Sequence, residues 1–337
     1  MRRALLWLGA WLLLGTLAAR AIDEEGFRAA AAYSASQRGT TLLVWQHGRK
    51  VFTNTANGGS LSKGYKIYSG TKAFWIMAGL AAEQEGILDL DERAAQTITE
   101  WAGDPRRSKV TIRQLLNFTS GIEPNFSLHN DGIADRDASA VKTSFGASPG
   151  ERFMYGPAAL QVYHEILARK LAGRGLSPTR YLEKRVLSPL GLGSQRYVAD
   201  RSGHPLLAAG FILNAGQWLK MGQCILREGA PIAGGGLASV GRGTGANPAF
   251  SMAIWNNHLA SSGREIDPED MLEPPWQRQS WSGACLSKNA PSDLLACIGS
   301  GGQRLYVVPS QELIVVRQGQ FSHFHDAEFL RRLFAGR

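Results

Sequence analysis

No cysteine directly follows the N-terminal apolar run, so the sequence offers no bacterial lipoprotein acylation site there. It shows no internal repeat and no long linker, which excludes a repeat array and leaves 337 residues to form one large domain or two intimately joined ones. Basic-aromatic motifs are missing too. Lys and Arg outnumber Asp and Glu, 37 to 28, for a formal charge of +9, but they are scattered. That sets nucleic acid aside as a partner and makes anionic polymers or lipid surfaces the expected acidic neighbours. The loop Gly241-Arg-Gly-Thr-Gly245 lacks Gly-Lys-Thr/Ser and does not join a strand to a helix, so it is no nucleotide cradle. His323, His325 and Asp326 stand without the further ligands that zinc requires, so neither metal nor cofactor is expected. Only three cysteines occur. In an oxidising compartment Cys285 and Cys297 are expected to close a short loop, with Cys224 left as a buried thiol.

What is present begins with Arg2-Arg3, an apolar run over 4–19, and Ala19-Arg20-Ala21 in the small-x-small form of a cleavage site. Residues 1–21 are therefore expected to be a secretory signal, making the protein periplasmic or secreted. The alternative is a retained membrane anchor, although the run falls short of the roughly 20 residues of a spanning helix.

Residues 22–337 form the expected folded part. Asp23 caps a helix to about 37, followed by strands over 40–45 and 50–53 around the His47-Gly48 turn. A Gly-rich loop leads to a helix over 70–84 that is apolar on nearly every face, the mark of a buried helix. Helices follow over 112–118, 157–171, 178–187 and from Asn214 to about Gly229, with Thr111, Pro157, Ser177-Pro178 and the Asn214/Gln217 pair as their start signals. Three short strands, 294–298, 304–308 and 313–317, precede a last helix near Asp326. Strands at both ends and helices between predict an α+β fold. Its antiparallel sheet comes from about 22–66 and 270–337, flanked by terminal helices, and a mostly helical region over about 67–269 is inserted, with a cleft where the two parts meet.

Ser69-Gly-Thr-Lys72 places a hydroxyl and an amine one helical turn apart. A serine needs a base within reach to become a nucleophile, and burial lowers a lysine's pKa enough for it to serve. Ser-x-x-Lys occurs by chance about once in a chain this long. A second copy, Ser60-Leu-Ser-Lys63, lies in the Gly-rich loop with no buried helix to orient it.

Further blocks set the first copy apart. Tyr68-Ser-Gly-Thr-Lys-Ala-Phe74 runs into Glu85-Gly-Ile-Leu-Asp-Leu-Asp91, and Val110-Thr-Ile-Arg-Gln-Leu-Leu-Asn-Phe-Thr-Ser-Gly121 follows. Then come Pro149-Gly-Glu-Arg-Phe-Met-Tyr155, Ser188-Pro-Leu-Gly-Leu192, and Gly299-Ser-Gly-Gly-Gln303 leading to Val307-Val-Pro309. In these blocks and their order the chain resembles the serine β-lactamase-like superfamily. That superfamily includes class C β-lactamases, D-alanyl-D-alanine carboxypeptidases, esterases and 6-aminohexanoate-dimer hydrolases. The resemblance implies a β-lactamase/transpeptidase-like fold and catalysis through an acyl-enzyme on Ser69, with Lys72 as base and Tyr155 sharing in proton transfer. It also implies an oxyanion hole made by the Ser69 N–H and a backbone N–H near Gly302, with Ser300 and Gln303 beside it.

Two departures bear on substrate. Where the family's second motif has asparagine after Tyr-x, this chain has Pro157, which cannot hydrogen-bond a substrate amide. Where the third motif has Lys or His, the chain has Gly299, and Lys142-Thr-Ser144 comes too early and lacks the glycine. A basic residue there would hold the carboxylate of β-lactams and D-alanyl peptides. Its loss favours a small ester or amide. The rival expectations are a non-catalytic cell-wall or ligand-binding relative, and a true β-lactamase or D-alanyl peptidase.

Overall fold

The computed structural model describes residues 24–269 and 280–335, so the expected signal over 1–21 and the capping role of Asp23 lie outside the described residues. The first helix, α1 (Glu24–Ser36), buries Phe27, Ala30 and Tyr33 on one face. Strands β1 (Gly39–Gln46) and β2 (Arg49–Thr55) form the expected hairpin. At its tip His47 and Gly48 both take positive φ, 47° and 81°, the combination a two-residue hairpin turn demands. After the short β3 (Tyr65–Lys66), helix α2 (Lys72–Gln84) is buried along its first eleven residues, as its all-round apolarity predicts.

The middle of the chain follows its start signals. Helix α3 (Ile112–Leu116) opens on a complete capping box at Thr111 and Gln114. Next come α4 (Arg136–Val141), α5 (Pro157–Ala172) with Pro157 in its first turn, and α6 (Pro178–Leu182), which widens into a π-helical turn over Glu183–Leu187. Beyond β4 (Ile212–Leu213), α7 (Ala215–Leu226) carries the predicted Asn214/Gln217 box.

Strands β5 (Phe250–Ser251), β6 (Ile254–Asn256), β7 (Arg264–Glu265) and β8 (Ala284–Cys285) lead to β9 (Leu295–Gly299), β10 (Gln303–Val308) and β11 (Leu313–Gly319), and α8 (Asp326–Leu333) ends the described chain. A seven-stranded sheet has the order β2-β1-β11-β10-β9-β6-β5, with every neighbouring pair antiparallel. The two ends of the chain meet in it, with Leu43 opposite Val316. Strands β5 and β6 fall inside the segment expected to be helical; runs of two and three residues are too short to show a period of two.

Successive residues of β10 identify what covers each face. Leu305 meets α7 beside Gly222, whereas Tyr306 stacks on Phe329 of α8 at 5.6 Å. Neighbouring strand residues point to opposite sides, so α7 covers one face and α8, packed on α1, the other. The sheet is thus an internal layer, which is why β10 is buried along its whole length. Phe74, Trp75 and Trp218 are fully buried, each contributing roughly 1.5–3 kcal/mol by leaving water.

The expected Cys285–Cys297 bridge is not formed: all three cysteines are free and buried. Cys285 belongs to the two-stranded β7–β8 sheet and packs against Gly263, while Cys297 is held in the main sheet opposite Leu305. Among the described residues no helix is long and apolar enough to cross a membrane.

Candidate active site

Ser69 sits in a 3₁₀ turn, Tyr68–Thr71, that feeds α2 at Lys72, rather than in the α-helix itself. Tyr68 holds φ at 45°, a left-handed conformation that a tyrosine adopts only where its surroundings over-determine it. Phe321 packs edge-on to its ring at 5.7 Å, and the Gly70 N–H donates to the Ile67 carbonyl at 2.9 Å. The turn also abuts the sheet: β9 ends at Gly299, where a Cβ would stand 2.1 Å from the Ile67 carbonyl oxygen. Glycine there lets strand and turn touch backbone to backbone.

Lys72 projects from the first residue of α2, so its amine returns to the preceding turn. Nζ lies 2.7 Å from Ser69 Oγ and 2.9 Å from the Ala208 carbonyl oxygen. The side chain is buried, and among the described residues no carboxylate pairs with it. Desolvation lowers its pKa from 10.5 to about 7, so a large share of the amine is neutral at physiological pH.

Tyr155 precedes α5, and its ring is fixed by Phe118 at 4.9 Å and Phe250 at 6.1 Å. Lys72 Nζ is 4.8 Å from the ring centre, and the phenol is hydrogen-bonded to Ser69. Burial pushes the phenol up to about 12, the bond to Ser69 opposing it, so it stays protonated through the neutral range. The structure therefore brings Ser69, Lys72 and Tyr155 into one cluster. They line a cleft of ≈ 400 Å³ between the helical region and the sheet, together with Ser300 from the end of β9.

Gly302 and Gln303 lie elsewhere. Gly301 and Gly302 take positive φ, 73° and 69°, and this turn aims their N–H groups at Glu269, at 2.5 Å from Gly301 and 3.2 Å from Gly302. Glu269 is held in turn by Arg304 at 2.9 Å. Gln303 is buried, donating to the Gly301 and Gly319 carbonyls. Of the three Gly-rich-turn residues expected at the substrate, only Ser300 reaches the cleft.

Pro157 and Gly156 form cleft wall and bring no amide side chain to it. Phe126, His129, Ala208 and Phe321 also line it and were not foreseen. Ala208 contributes a carbonyl, which any residue carries, so no sequence signal marks it. Phe126 and His129 occupy one 3₁₀ turn, where aromatic rings in a polar loop were the available hint. Burial, and then the nearby Lys72 charge, hold the His129 imidazole below its ordinary pKa.

His323, His325 and Asp326 do not converge on a metal position: His325 pairs with Asp267 at 2.7 Å, and Asp326 is bonded bidentately by Arg304. Among the described residues Asp135, Asp200 and His204 have ligand-like spacing. Their carboxylates already serve the backbone, Asp135 capping α4 through the Ala138 N–H and Asp200 accepting the Arg136 and His204 N–H groups.

A serine, a buried lysine and a tyrosine at the junction of an antiparallel sheet and a helical region define a β-lactamase/transpeptidase-like fold of the serine hydrolase class. The Beta-lactamase family model matches residues 24–318, and the chain belongs to that family. Protein flp of Staphylococcus aureus (strain COL) is 28% identical over 169 residues, 45% of this chain and 33% of that protein. The chain thus spans about a third of the length of the curated relatives it matches. A class C β-lactamase from Rhodobacter sphaeroides superposes with a TM-score of 0.66 at 19% identity, covering 92% of this chain and 99% of that one. EstCE1, described as a hydrolase with promiscuous acyltransferase activity, gives 0.66 at 16% identity, with 92% and 98% covered. At those identities the likeness is one of fold.

Proposed function

We propose that this protein hydrolyses a small neutral ester or amide through an acyl-enzyme on Ser69. The observation that carries the reading is the 2.7 Å approach of a buried, readily neutral Lys72 amine to Ser69 Oγ. Neutral Lys72 accepts the Ser69 proton as Oγ attacks the carbonyl carbon. The proton then passes, with the Tyr155 phenol as partner, to the leaving alcohol or amine as its bond to the acyl carbon breaks. Water attacks the acyl carbon next, gives its proton to Lys72, and Ser69 Oγ leaves with a proton. The Ser69 N–H, at the open end of its turn, is one donor to the oxyanion. Ser300, directly after β9, is the cleft residue placed to supply the second.

Ester or amide is favoured over β-lactam or D-alanyl peptide because the described cleft lining carries no cation besides Lys72, which must be neutral to act. The apolar run over 4–19 and Ala19-Arg20-Ala21 support export. A fluorophosphonate probe should label the protein covalently, and Ser69→Ala should abolish labelling; unchanged labelling of the variant would refute the assignment. Glu269 on the Gly302 N–H, and Pro157 in place of an amide, favour a second reading, a binder without turnover. Such a binder would give at most one stoichiometric burst with p-nitrophenyl esters, whereas the hydrolase gives sustained release.

A further inference from the structure

The cleft is chemically lopsided. Its reactive members Lys72 and Tyr155 are buried, while its outer members are aromatic and open to solvent. Among the described residues three large apolar side chains are exposed, and two of them, Phe126 at 36% and Phe321 at 59%, line this one cleft. Exposed apolar residues are ordinary when scattered. These two face a shared space from different parts of the fold, Phe126 from the helical region and Phe321 from the chain following β11.

Each ring packs against a neighbouring ring. Phe321 is braced edge-on by Tyr68, the residue before the serine, and Phe126 lies nearly parallel to His129, at 6.1 Å and 18°. Gly156, Pro157 and Ala209 add apolar or small wall to the same cleft. Among the described lining residues there is no carboxylate and no guanidinium. The basic side chains in the lining are Lys72, which must be neutral to act, and His129, held below its ordinary pKa, so an anionic acyl group would meet no fixed cation, and burying an unpaired charge is strongly unfavourable.

We propose that Phe126 and Phe321 grip the acyl portion of the substrate, and that the substrates are uncharged esters of aromatic or short-chain acids. The proposal rests on the acyl-enzyme reading and specifies its substrate. A cleft of ≈ 400 Å³ is near the small end of ligand pockets, which suits one ring or a short chain beside the reacting carbonyl.

The test compares kcat/KM for the p-nitrophenyl esters of acetic, butyric and benzoic acids and for the anionic hemisuccinate, with fluorophosphonate labelling run in parallel. In the wild type, kcat/KM should rise from acetate to butyrate by up to about fourfold per added methylene. The hemisuccinate should fall about tenfold or more below butyrate, because its extra carboxylate finds no partner in the apolar wall. Phe126→Ala and Phe321→Ala should each pull the butyrate-to-acetate and benzoate-to-acetate ratios toward one, with Phe321→Leu between them and the wild type. Both side chains are exposed, so melting temperatures should stay close to wild type. A flat wild-type series, hemisuccinate turned over as fast as butyrate, or alanine variants with unchanged ratios would overturn the proposal even if Ser69 is labelled. Failure of labelling together with absence of turnover would bring down the acyl-enzyme reading and this proposal with it.

Discussion

Gly299 and Ile67 meet backbone to backbone, and that contact joins the sheet to the turn carrying Ser69. A Cβ on Gly299 would lie 2.1 Å from the Ile67 carbonyl oxygen, closer than any real contact, and the atom it meets is backbone that cannot swing aside.

Gly299→Ala should therefore push β9 and the serine turn apart. The cost in stability should be roughly 1–3 kcal/mol, as for other overpacked sites. Activity should fall by more than that loss explains, because Ser300 and Ser69 separate. Denaturant unfolding alongside ester kinetics would show this; full activity at wild-type stability would mean the contact does not set the site.

Lys72 titrates near 7 in the folded protein against 10.5 when solvated, and burial is the cause. If the neutral amine is the base, kcat/KM should rise through an acid limb with an apparent pKa near 7. Lys72→Arg, charged at all working pH values, should be inactive. Stability carries the same signature. Between pH 7 and 10.5 the unfolded chain holds a proton on this amine that the folded chain lacks, so this group makes unfolding harder as pH rises through that window. Lys72→Met should remove that rise, which midpoints of chemical unfolding at pH 6.5, 8 and 9.5 would measure.

Tyr155 titrates near 12, so it should add no limb to the rate profile below about pH 10. Tyr155→Phe keeps the ring against Phe118 and Phe250 and removes the hydroxyl that bonds Ser69. A fall in kcat of about 10²-fold or more is expected with little change in melting temperature. Parallel loss of both would assign the tyrosine to packing alone.

Arg136 is fully buried and ties together two segments that lead into the cleft lining. Its guanidinium donates to the Leu128 and Asn130 carbonyls on either side of His129, and to the Val198 and His204 carbonyls in the segment leading to Ala208. Arg136→Met would strand those acceptors, costing on the order of 3 kcal/mol. Amide exchange should quicken around 126–130, and KM should rise more than kcat falls.

The free, buried cysteines predict slow alkylation of the native protein and three equivalents of thiol in denaturant without reductant. Two equivalents fewer would show a bridge after all.

Local order was largely legible in the sequence. The Thr111/Gln114 and Asn214/Gln217 boxes, Pro157 in a first turn and the apolar run of α2 are short-range patterns whose physics lies within one or two helical turns. So was the Ser69/Lys72 pair, because three residues along a helical turn bring two side chains together wherever the segment is placed. What the sequence alone left open depends on contacts between distant segments. The freedom of Cys285 and Cys297 follows from their lying in different sheets, and the absence of Gly302 from the cleft follows from its N–H meeting Glu269, 33 residues away. Phe126 and Phe321 became two sides of one mouth only when the helical region folded against the sheet, a meeting set by packing of the whole core rather than by any local preference of either residue.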